Sequence, residues 1–169
     1  MVFLDFKMSK CLLLLYFICA GQLASAQHNP IVFDTLDNWL TVRTPINLVI
    51  EKLGEPDSVG EVETWGSTGL DYRFYQYSRI GLSFYSEQDN DSETVFDIII
   101  QGISPFHTSR GVFVGDSKTS VMSKYKDCLN NEFSSDSDDV SIINSIYEGT
   151  YFFYDDEKVV KIEIGSLAE

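Results

Sequence analysis

One order of helix and strand signals occurs twice along the chain, and it constrains the fold more than any other feature. Each time, a short helix with a clear start and stop is followed by a polar stretch and then by strands of alternating apolar residues. The two units cover about 44–102 and 116–165, a period of about 65–72 residues. One unit alone would leave much apolar surface in water, whereas two units joined into one sheet cover it. The pattern predicts an α+β fold of two helix–loop–β–β–β repeats, with an antiparallel sheet and short helices on one face.

Local signals place the two helices. Thr44 is a good N-cap, and Pro45 fits the first helical position, where the missing N–H has no partner to lose. Gly54 can take the left-handed conformation that ends a helix. In the second unit, Asp116 or Ser117 is expected to cap the helix. The apolar residues of the first helix recur at helical spacing: Ile46, Val49, Ile50 and Leu53.

Alternating apolar residues predict the strands. The strand segments are 71–77, 80–85, 95–100, 140–143, 149–154 and 159–164. Apolar residues expected to share a face are Phe96, Ile98 and Ile100 in the first unit and Val160, Ile162 and Ile164 in the second. Lys161 and Glu163 are expected to face water. The segment 55–69 contains three glycines and is expected to be a loop.

Residues 1–26 are typical of a cleaved secretory signal peptide. The apolar run Cys11–Ala20 follows two lysines and has 10 residues, whereas a membrane-spanning helix needs about 20 and a signal peptide only about 7–15. Ala24-Ser25-Ala26 is a small-x-small cleavage signal, so cleavage is expected after Ala26. Lipidation at Cys19 is the alternative, but Ile18 stands where a small residue is preferred. Residues 27–169 are then a single periplasmic or secreted domain.

The charge of the chain favours some partners and disfavours others. The full sequence has 26 acidic and 12 basic residues, of which one acidic and two basic residues lie in the leader. The mature domain therefore carries 25 acidic and 10 basic side chains, a formal charge of −15. Such a surface repels nucleic acid and anionic membranes, and it attracts a basic protein or a cation. The expected partner is another protein, basic in character, and no membrane span is expected.

The residues that usually carry catalysis are few. Cys128 is the only cysteine outside the leader, and His28 and His107 are the only histidines. A Cys128–His107 nucleophile pair is the alternative, but no nucleophile turn supports it, and a buried or half-buried structural cysteine is favoured. Zinc-type spacing and phosphate-binding glycine loops are absent from the sequence. These features predict a protein that is not an enzyme.

Calcium is the one metal that the sequence suggests. Carboxylates alternate in Asp89-x-Asp91-x-Glu93 and again within 134–139. Alternating oxygen ligands can surround Ca²⁺, but the glycine and the distant glutamate of an EF-hand loop are missing. Acidic residues also favour turns by themselves. The sequence therefore predicts no cofactor, with calcium as the alternative.

Aromatic residues fill the predicted strands and suggest a binding surface. Tyr75, Tyr77 and Tyr85, together with Tyr151 and Phe153, are candidates for a protein-binding face. Tyrosine is enriched in binding hot spots because its ring is large and rigid and ends in a polar group. The alternative is that these rings cover the core or pack under loops.

Two segments resemble a known kind of repeat. The segment 44–57, which contains Leu53-Gly54-x-Pro56, resembles the start of repeats in small exported bacterial proteins, and 151–162 is similar to their closing hairpin. These repeats occur in β-lactamase-inhibitor-protein-like domains and in small lipoproteins of the outer-membrane assembly machinery. The tandem arrangement is more similar to the former. In the second unit, Lys126-Asp127-Cys128 stands where Gly-x-Pro would be. The resemblance implies the fold and a general binding role, without specific functional residues.

Together these features predict an exported, non-enzymatic protein-binding or inhibitory protein of the bacterial cell envelope. The alternative is a periplasmic protein that binds a small ligand or carbohydrate. A closed apolar pocket between the helices and the sheet would favour that alternative. An enzyme would instead need a cleft with converging polar groups.

Overall fold

The computed structural model describes residues 34–89, 92–128, 137 and 139–166. The expected signal peptide lies outside this part. Within it the chain forms two short helices and seven strands, with a 3-10 turn at Ser78–Ile80. The helices are α1 (Ile46–Leu53) and α2 (Lys118–Lys124). The strands are β1 (Ser58–Thr64), β2 (Asp71–Tyr77), β3 (Leu82–Asp89), β4 (Ser92–Gln101), β5 (Val140–Asn144), β6 (Gly149–Asp155) and β7 (Lys158–Gly165). Neither helix of this part has the length and apolar character needed to cross a membrane.

All seven strands belong to one antiparallel sheet. The strand order is β1-β2-β3-β4-β7-β6-β5, so each half is a meander of sequential neighbours. The halves meet where β4 pairs with β7, and we call this pairing the seam. Ile99 lies opposite Glu163 in the middle of the seam, flanked by the pairs Ile98–Ile164 and Ile100–Ile162. The fold is therefore mostly β and compatible with the expected α+β class.

Both helices contribute to a single hydrophobic core on one face of the sheet. Ile46 and Val49 of α1 and Val121 of α2 are buried in the same cluster as the sheet residues. The sheet contributes alternate residues of its central strands to this cluster: Leu82, Phe84, Ile98, Ile100, Phe152, Ile162 and Ile164. Each such side chain stabilises the fold by about 1.5–3 kcal/mol when fully buried. The helices are too short to be stable alone, so this packing holds them in place.

The helix boundaries follow the sequence signals closely. α1 begins at Ile46 with Pro45 as N-cap, one residue later than predicted, and Gly54 follows it with a φ of 80°. Ser117 caps α2, as one of the two alternatives predicted, and its Oγ accepts a hydrogen bond of 3.2 Å from the Ser120 N–H. Ser117 thus satisfies one of the backbone donors that a helix leaves unpaired at its start.

The prediction of a loop over 55–69 is wrong in its central part. This segment contains β1, which pairs with β2 from Ser58–Gln76 to Thr64–Asp71. All seven residues of β1 are exposed. An exposed edge strand needs no alternating apolar residues, so the alternation signal was missing.

Two β-bulges overturn part of the predicted face assignment. The β3–β4 register shifts between Tyr85 and Ser86, which leaves Phe96 as the extra residue of β4. The β6–β7 register shifts between Phe153 and Tyr154, which leaves Val160 as the extra residue of β7. A bulge interrupts the two-residue period of a strand. Phe96 and Val160 therefore do not share the core face of the isoleucines that follow them, contrary to the prediction.

Similar hydrogen bonds tie the start of each helix to the sheet. The Arg43 N–H donates to the Val95 carbonyl oxygen at 2.6 Å, and the Val95 N–H donates to Thr44 at 2.9 Å. In the second half, the Gly115 N–H donates to Val159 at 2.7 Å, and the Val159 N–H donates to Asp116, also at 2.9 Å. These bonds hold residues 43–44 and 115–116, shortly before each helix, against the seam strand of the same half.

Candidate functional site

The outer face of the sheet, which we define as the face turned away from α1 and α2, carries a cluster of aromatic rings. Phe74, Tyr85 and Phe96 lie on it and are half-buried. The neighbouring Tyr72 is fully buried beneath them, and Trp65 packs on Tyr72 from the segment after β1. We call Trp65, Tyr72, Phe74, Tyr85 and Phe96 the aromatic cluster.

The rings of the aromatic cluster are in direct contact with one another. The Trp65 ring centroid lies 4.1 Å from that of Tyr72 and 5.4 Å from that of Tyr85. Tyr72 and Phe96 are 4.9 Å apart, and Phe74 and Tyr85 are 5.0 Å apart. The pairs are tilted or edge-on, the arrangements that ring quadrupoles favour, each worth about 0.5–1.5 kcal/mol beyond area burial. The cluster is therefore a preorganised surface that loses little side-chain freedom on binding.

Two of the five predicted surface residues lie half-buried on the outer face. They are Tyr85, which belongs to the aromatic cluster, and Phe153 on β6. Tyr151 lies on the same face of β6 but is fully buried, and its hydroxyl donates a 2.7 Å hydrogen bond to the Ser145 carbonyl oxygen. Tyr151 therefore supports the neighbouring β5–β6 turn and offers no contact area.

The expectation that Tyr75 and Tyr77 are exposed is wrong. Both face the helices, and each is only 4% exposed. The Tyr75 ring stacks on Phe84, with its centroid 5.0 Å away. The Tyr77 hydroxyl donates a 3.0 Å hydrogen bond to the Gly54 carbonyl oxygen at the end of α1. Tyr77 thus satisfies a backbone group that the helix leaves unpaired, which explains its position in the core.

A row of ionisable groups crosses the outer face at the seam. Asp97 lies opposite Tyr85, and Glu163 lies opposite Ile99. Asp97 is 6% exposed and Glu163 7%, so the prediction that Glu163 faces water is wrong. Lys161 explains this burial: its Nζ lies 2.7 Å from Glu163 Oε2 and 3.7 Å from the centre of the Phe153 ring. Glu163 is therefore a paired carboxylate under an aromatic surface.

The Asp97 carboxyl group has fewer polar partners than the Glu163 carboxylate. Within the part of the chain that the structure describes, its Oδ1 atom has no hydrogen-bond partner. Burial, and secondarily the nearby Glu163 carboxylate, raise the pKa of Asp97 from 3.8 to about 8. Lys161 opposes this shift through its charge. Asp97 is therefore mostly protonated at neutral pH, which spares the face a second buried negative charge.

Acidic side chains border the aromatic cluster. Glu63 on β1 and Glu87 on β3 are the direct cross-strand neighbours of Tyr72 on either side. Glu63 is exposed and Glu87 is half-buried. Carboxylates beside accessible ring faces attract cations through both charge and the ring quadrupole. The border therefore places negative charge next to the aromatic cluster.

A cavity of about 190 Å³ lies at one end of the seam, beside Phe96. It is bounded by both halves of the sheet. Its lining residues are Val42, Arg43, Glu87, Thr94, Val95, Phe96, Tyr147, Glu148, Gly165 and Ser166. A closed apolar pocket between the helices and the sheet was the feature expected to favour a small-ligand protein. This cavity is different, because charged side chains line it.

Cys128 and His107, the candidate nucleophile pair, each have defined partners in the structure. Cys128 is half-buried, as predicted, and Arg110 donates a 2.8 Å hydrogen bond to its sulfur. Burial raises the pKa of the Cys128 thiol, whereas a nucleophilic cysteine needs a lowered pKa. His107 contacts Asp37 at 3.5 Å and packs edge-on against Phe113. These contacts hold Cys128 and His107 to different partners.

The calcium prediction falls largely outside the described residues. Asp91, Asp136 and Asp138 are among the residues that the structure does not describe. Over the residues it does describe, no group of three or more His, Cys, Asp and Glu side chains is arranged to hold a metal ion.

Sequence reasoning missed three residues of the outer face. Trp65 was placed in a loop, Phe96 in the core, and Asp97 was not considered. Asp97 carried a usable signal, because a charged residue stands between Phe96 and a run of three isoleucines. Buried charged residues are rare unless they are paired or functional, so that position marked a site of interest.

Comparison with known proteins gives no relative: no family model, curated protein or solved structure matches the chain.

Proposed function

We propose that this chain is an exported, non-enzymatic protein of the bacterial cell envelope that binds or inhibits a basic protein through the outer face of its sheet. The observation that carries the proposal is the aromatic cluster. Four of its five rings are half-buried, and acidic side chains border the cluster. Tyrosine and tryptophan dominate the binding energy of many interfaces, where loss of one ring costs about 2 kcal/mol or more.

The charge of the protein supports a basic partner. The chain has a formal net charge of −14, and Glu63 and Glu87 flank Tyr72 in the cluster. A lysine or arginine of the partner can lie over a ring while it pairs with a carboxylate at the border. Lys161 already does so within this protein, between Phe153 and Glu163. Long-range attraction between opposite charges also speeds association.

We further propose that the sheet consists of two related repeats joined at an approximate two-fold axis. Two residues of the first half support this, because each lies directly opposite the residue that occupies the same position in the second half. Leu36 bridges to Thr108, 72 residues later, and Ile99 pairs with Glu163, 64 residues later. A residue paired with its own equivalent is expected only on a two-fold axis.

The local geometry of the two halves supports the same repeat proposal. The bulge residues Phe96 and Val160 are 64 residues apart, like the seam pair. Arg43 and Gly115 are 72 residues apart, make the same type of bond to the seam strands, and have φ angles of 72° and 96°. A crystal structure in which the two halves fail to superpose by a rotation of about half a turn would reject the repeat.

Retention of partners by immobilised protein tests the binding proposal. Purified protein is coupled to a resin and exposed to envelope extract at low and then at moderate salt. We expect a basic protein to be retained at low salt and released by salt, since exposed charges are screened at higher ionic strength.

Variants with single aromatic substitutions test whether the outer face makes the contact with the retained protein. Trp65→Ala and Tyr85→Ala should each reduce retention at least tenfold, about 1.4 kcal/mol. Phe113→Ala removes an exposed ring in the loop before α2 and should leave retention unchanged. Circular dichroism confirms that each variant is folded. Equal retention by all variants would reject the outer face as the binding surface.

A further inference from the structure

The cavity at the end of the seam carries an unusual set of charges. Arg43, Glu87 and Glu148 all line it. Over the described part of the chain, none of these three side chains makes a hydrogen bond or an ion pair. We propose that this cavity binds a small molecule with one carboxylate and two amino groups, the class of the basic amino acids.

The size of the cavity favours a small ligand. Its volume is about 190 Å³. Typical pockets for drug-sized ligands and cofactors have volumes of about 300–1,000 Å³. A cavity of about 150 Å³ is large enough to hold benzene. The cavity is therefore smaller than the usual pockets for drug-sized ligands, and it has room for a molecule with a short carbon chain.

The charges select among molecules of this size. Arg43 can bind a carboxylate through two parallel N–H donors. Glu87 and Glu148 lie on separate strands or turns, one from each half, so each can accept from a different ammonium group. A neutral amino acid would satisfy only one of the two carboxylates. A diamine would leave the guanidinium without an anion, so a basic amino acid is the ligand that matches all three charges.

Apolar groups complete the cavity. The Phe96 ring and Val42, both half-buried, provide surface for a methylene chain, and the exposed Tyr147 also lines the cavity. Phe96 can also hold an ammonium group against its ring face. The ligand chemistry is thus a charged head at each end of a short apolar chain.

The backbone holds these groups in place without the ligand. Arg43 adopts a left-handed conformation with a φ of 72°, which is uncommon for a side chain of this kind. Its N–H donates to the Val95 carbonyl oxygen, which fixes it to β4. Gly165 also lines the cavity, and a Cβ there would lie 2.2 Å from Asp97 Oδ1. A larger residue would therefore not fit at Gly165.

Three compounds of matched length test the proposal. Lysine carries all three charges, norleucine lacks the side-chain ammonium, and cadaverine lacks the carboxylate. Binding to the purified protein is followed by amide chemical shifts in two-dimensional NMR. We expect lysine to bind with a Kd of about 1 mM or below and at least tenfold more tightly than either analogue. The shifted amides should include those of residues 147, 148 and 166.

Variants assign each charge to its partner. Arg43→Gln should reduce lysine affinity at least tenfold and leave cadaverine affinity unchanged or increased. Glu148→Gln should reduce lysine affinity to near that of norleucine. Glu61→Gln on β1 is the control, because Glu61 is exposed and does not line the cavity. Each variant is compared with the wild type by circular dichroism.

Two results would overturn the proposal. One is the absence of shifts at the cavity amides with lysine at about ten times the expected Kd. The other is equal affinity for lysine, norleucine and cadaverine, which would show that the charges do not select the ligand. Phe96 and Glu87 border both sites, but the resin assay substitutes Trp65 and Tyr85, which do not line the cavity. Failure of lysine binding therefore leaves the result of the protein-binding assay unaffected.

Discussion

The buried carboxyl of Asp97 makes the stability of this protein depend on pH in an unusual direction. Most acids in proteins have pKa values near or below their ordinary range, so stability is lost as pH falls. Asp97 has the opposite shift, from 3.8 to about 8, caused first by burial and then by the charge of Glu163. The groups that face it are Tyr85 on β3 and Glu163 and Lys161 on β7.

The direction in which stability changes with pH follows from proton binding to Asp97. Between the unfolded pKa of 3.8 and the native pKa of about 8, the native state holds a proton that the unfolded state has lost. The stabilisation from this proton is full below the unfolded pKa and is lost as pH rises through the native pKa. With about 1.36 kcal/mol for each pKa unit, the free energy of unfolding should fall by on the order of 4 kcal/mol between about pH 5 and pH 9.

Urea unfolding at unit steps of pH over that range measures the effect, with tryptophan fluorescence as the signal. Asp97→Asn removes the titrating group and should flatten the curve. Glu163→Gln removes one of the two causes of the shift, so the loss of stability should end at a lower pH and be smaller in total. Asp155→Asn, at the exposed last residue of β6, should follow the wild type. A wild-type curve that is flat or rises from about pH 5 to pH 9, or an Asp97→Asn curve as steep as the wild type, would refute the reasoning.

Three further predictions concern the scaffold, each measured by urea unfolding at fixed pH. Ser117→Ala removes the cap of α2 and should lower the free energy of unfolding by about 1 kcal/mol; an unchanged value would mean that the cap contributes nothing. Gly81→Ala should lower the free energy of unfolding more than Gly102→Ala, although both glycines have positive φ. Only at Gly81 would a Cβ lie 2.3 Å from a backbone carbonyl oxygen. Equal losses of stability would contradict this close approach. Ile98→Ala should cost about 2–5 kcal/mol and Ile103→Ala, at a site 97% exposed, less than about 0.5, and a reversed order would contradict the core assignment.

The helices and most strands could be predicted because their signals are local. Gly54 ends α1 and Ser117 caps α2 through contacts within a few residues of each helix. The strand over 71–77 was also predicted, and in the structure Tyr72 and Phe74 lie on one face while Tyr75 and Tyr77 lie on the other. Which face becomes the core could not be predicted, because that depends on the helices packing there from elsewhere in the chain.

The parts of the site that were missed depend on contacts that are distant in sequence. The bulge at Phe96 is set by the register of β4 against β3, and it moves this ring from the core to the aromatic cluster. The pKa of Asp97 depends on Glu163, which is brought near by the β4–β7 seam. β1 carries no apolar pattern because it is exposed along its whole length. The residues next to a position in the sequence do not indicate which distant residues will pair with it in the sheet.

Oxidative footprinting of the protein with the partner retained on the resin tests the central proposal most directly. Hydroxyl radicals oxidise accessible aromatic side chains, and mass spectrometry reports each site separately. We predict that Trp65 and Tyr85 become protected in the complex while Phe113 stays equally reactive. Protection of Phe113 with unchanged oxidation of Trp65 and Tyr85 would contradict binding through the outer face.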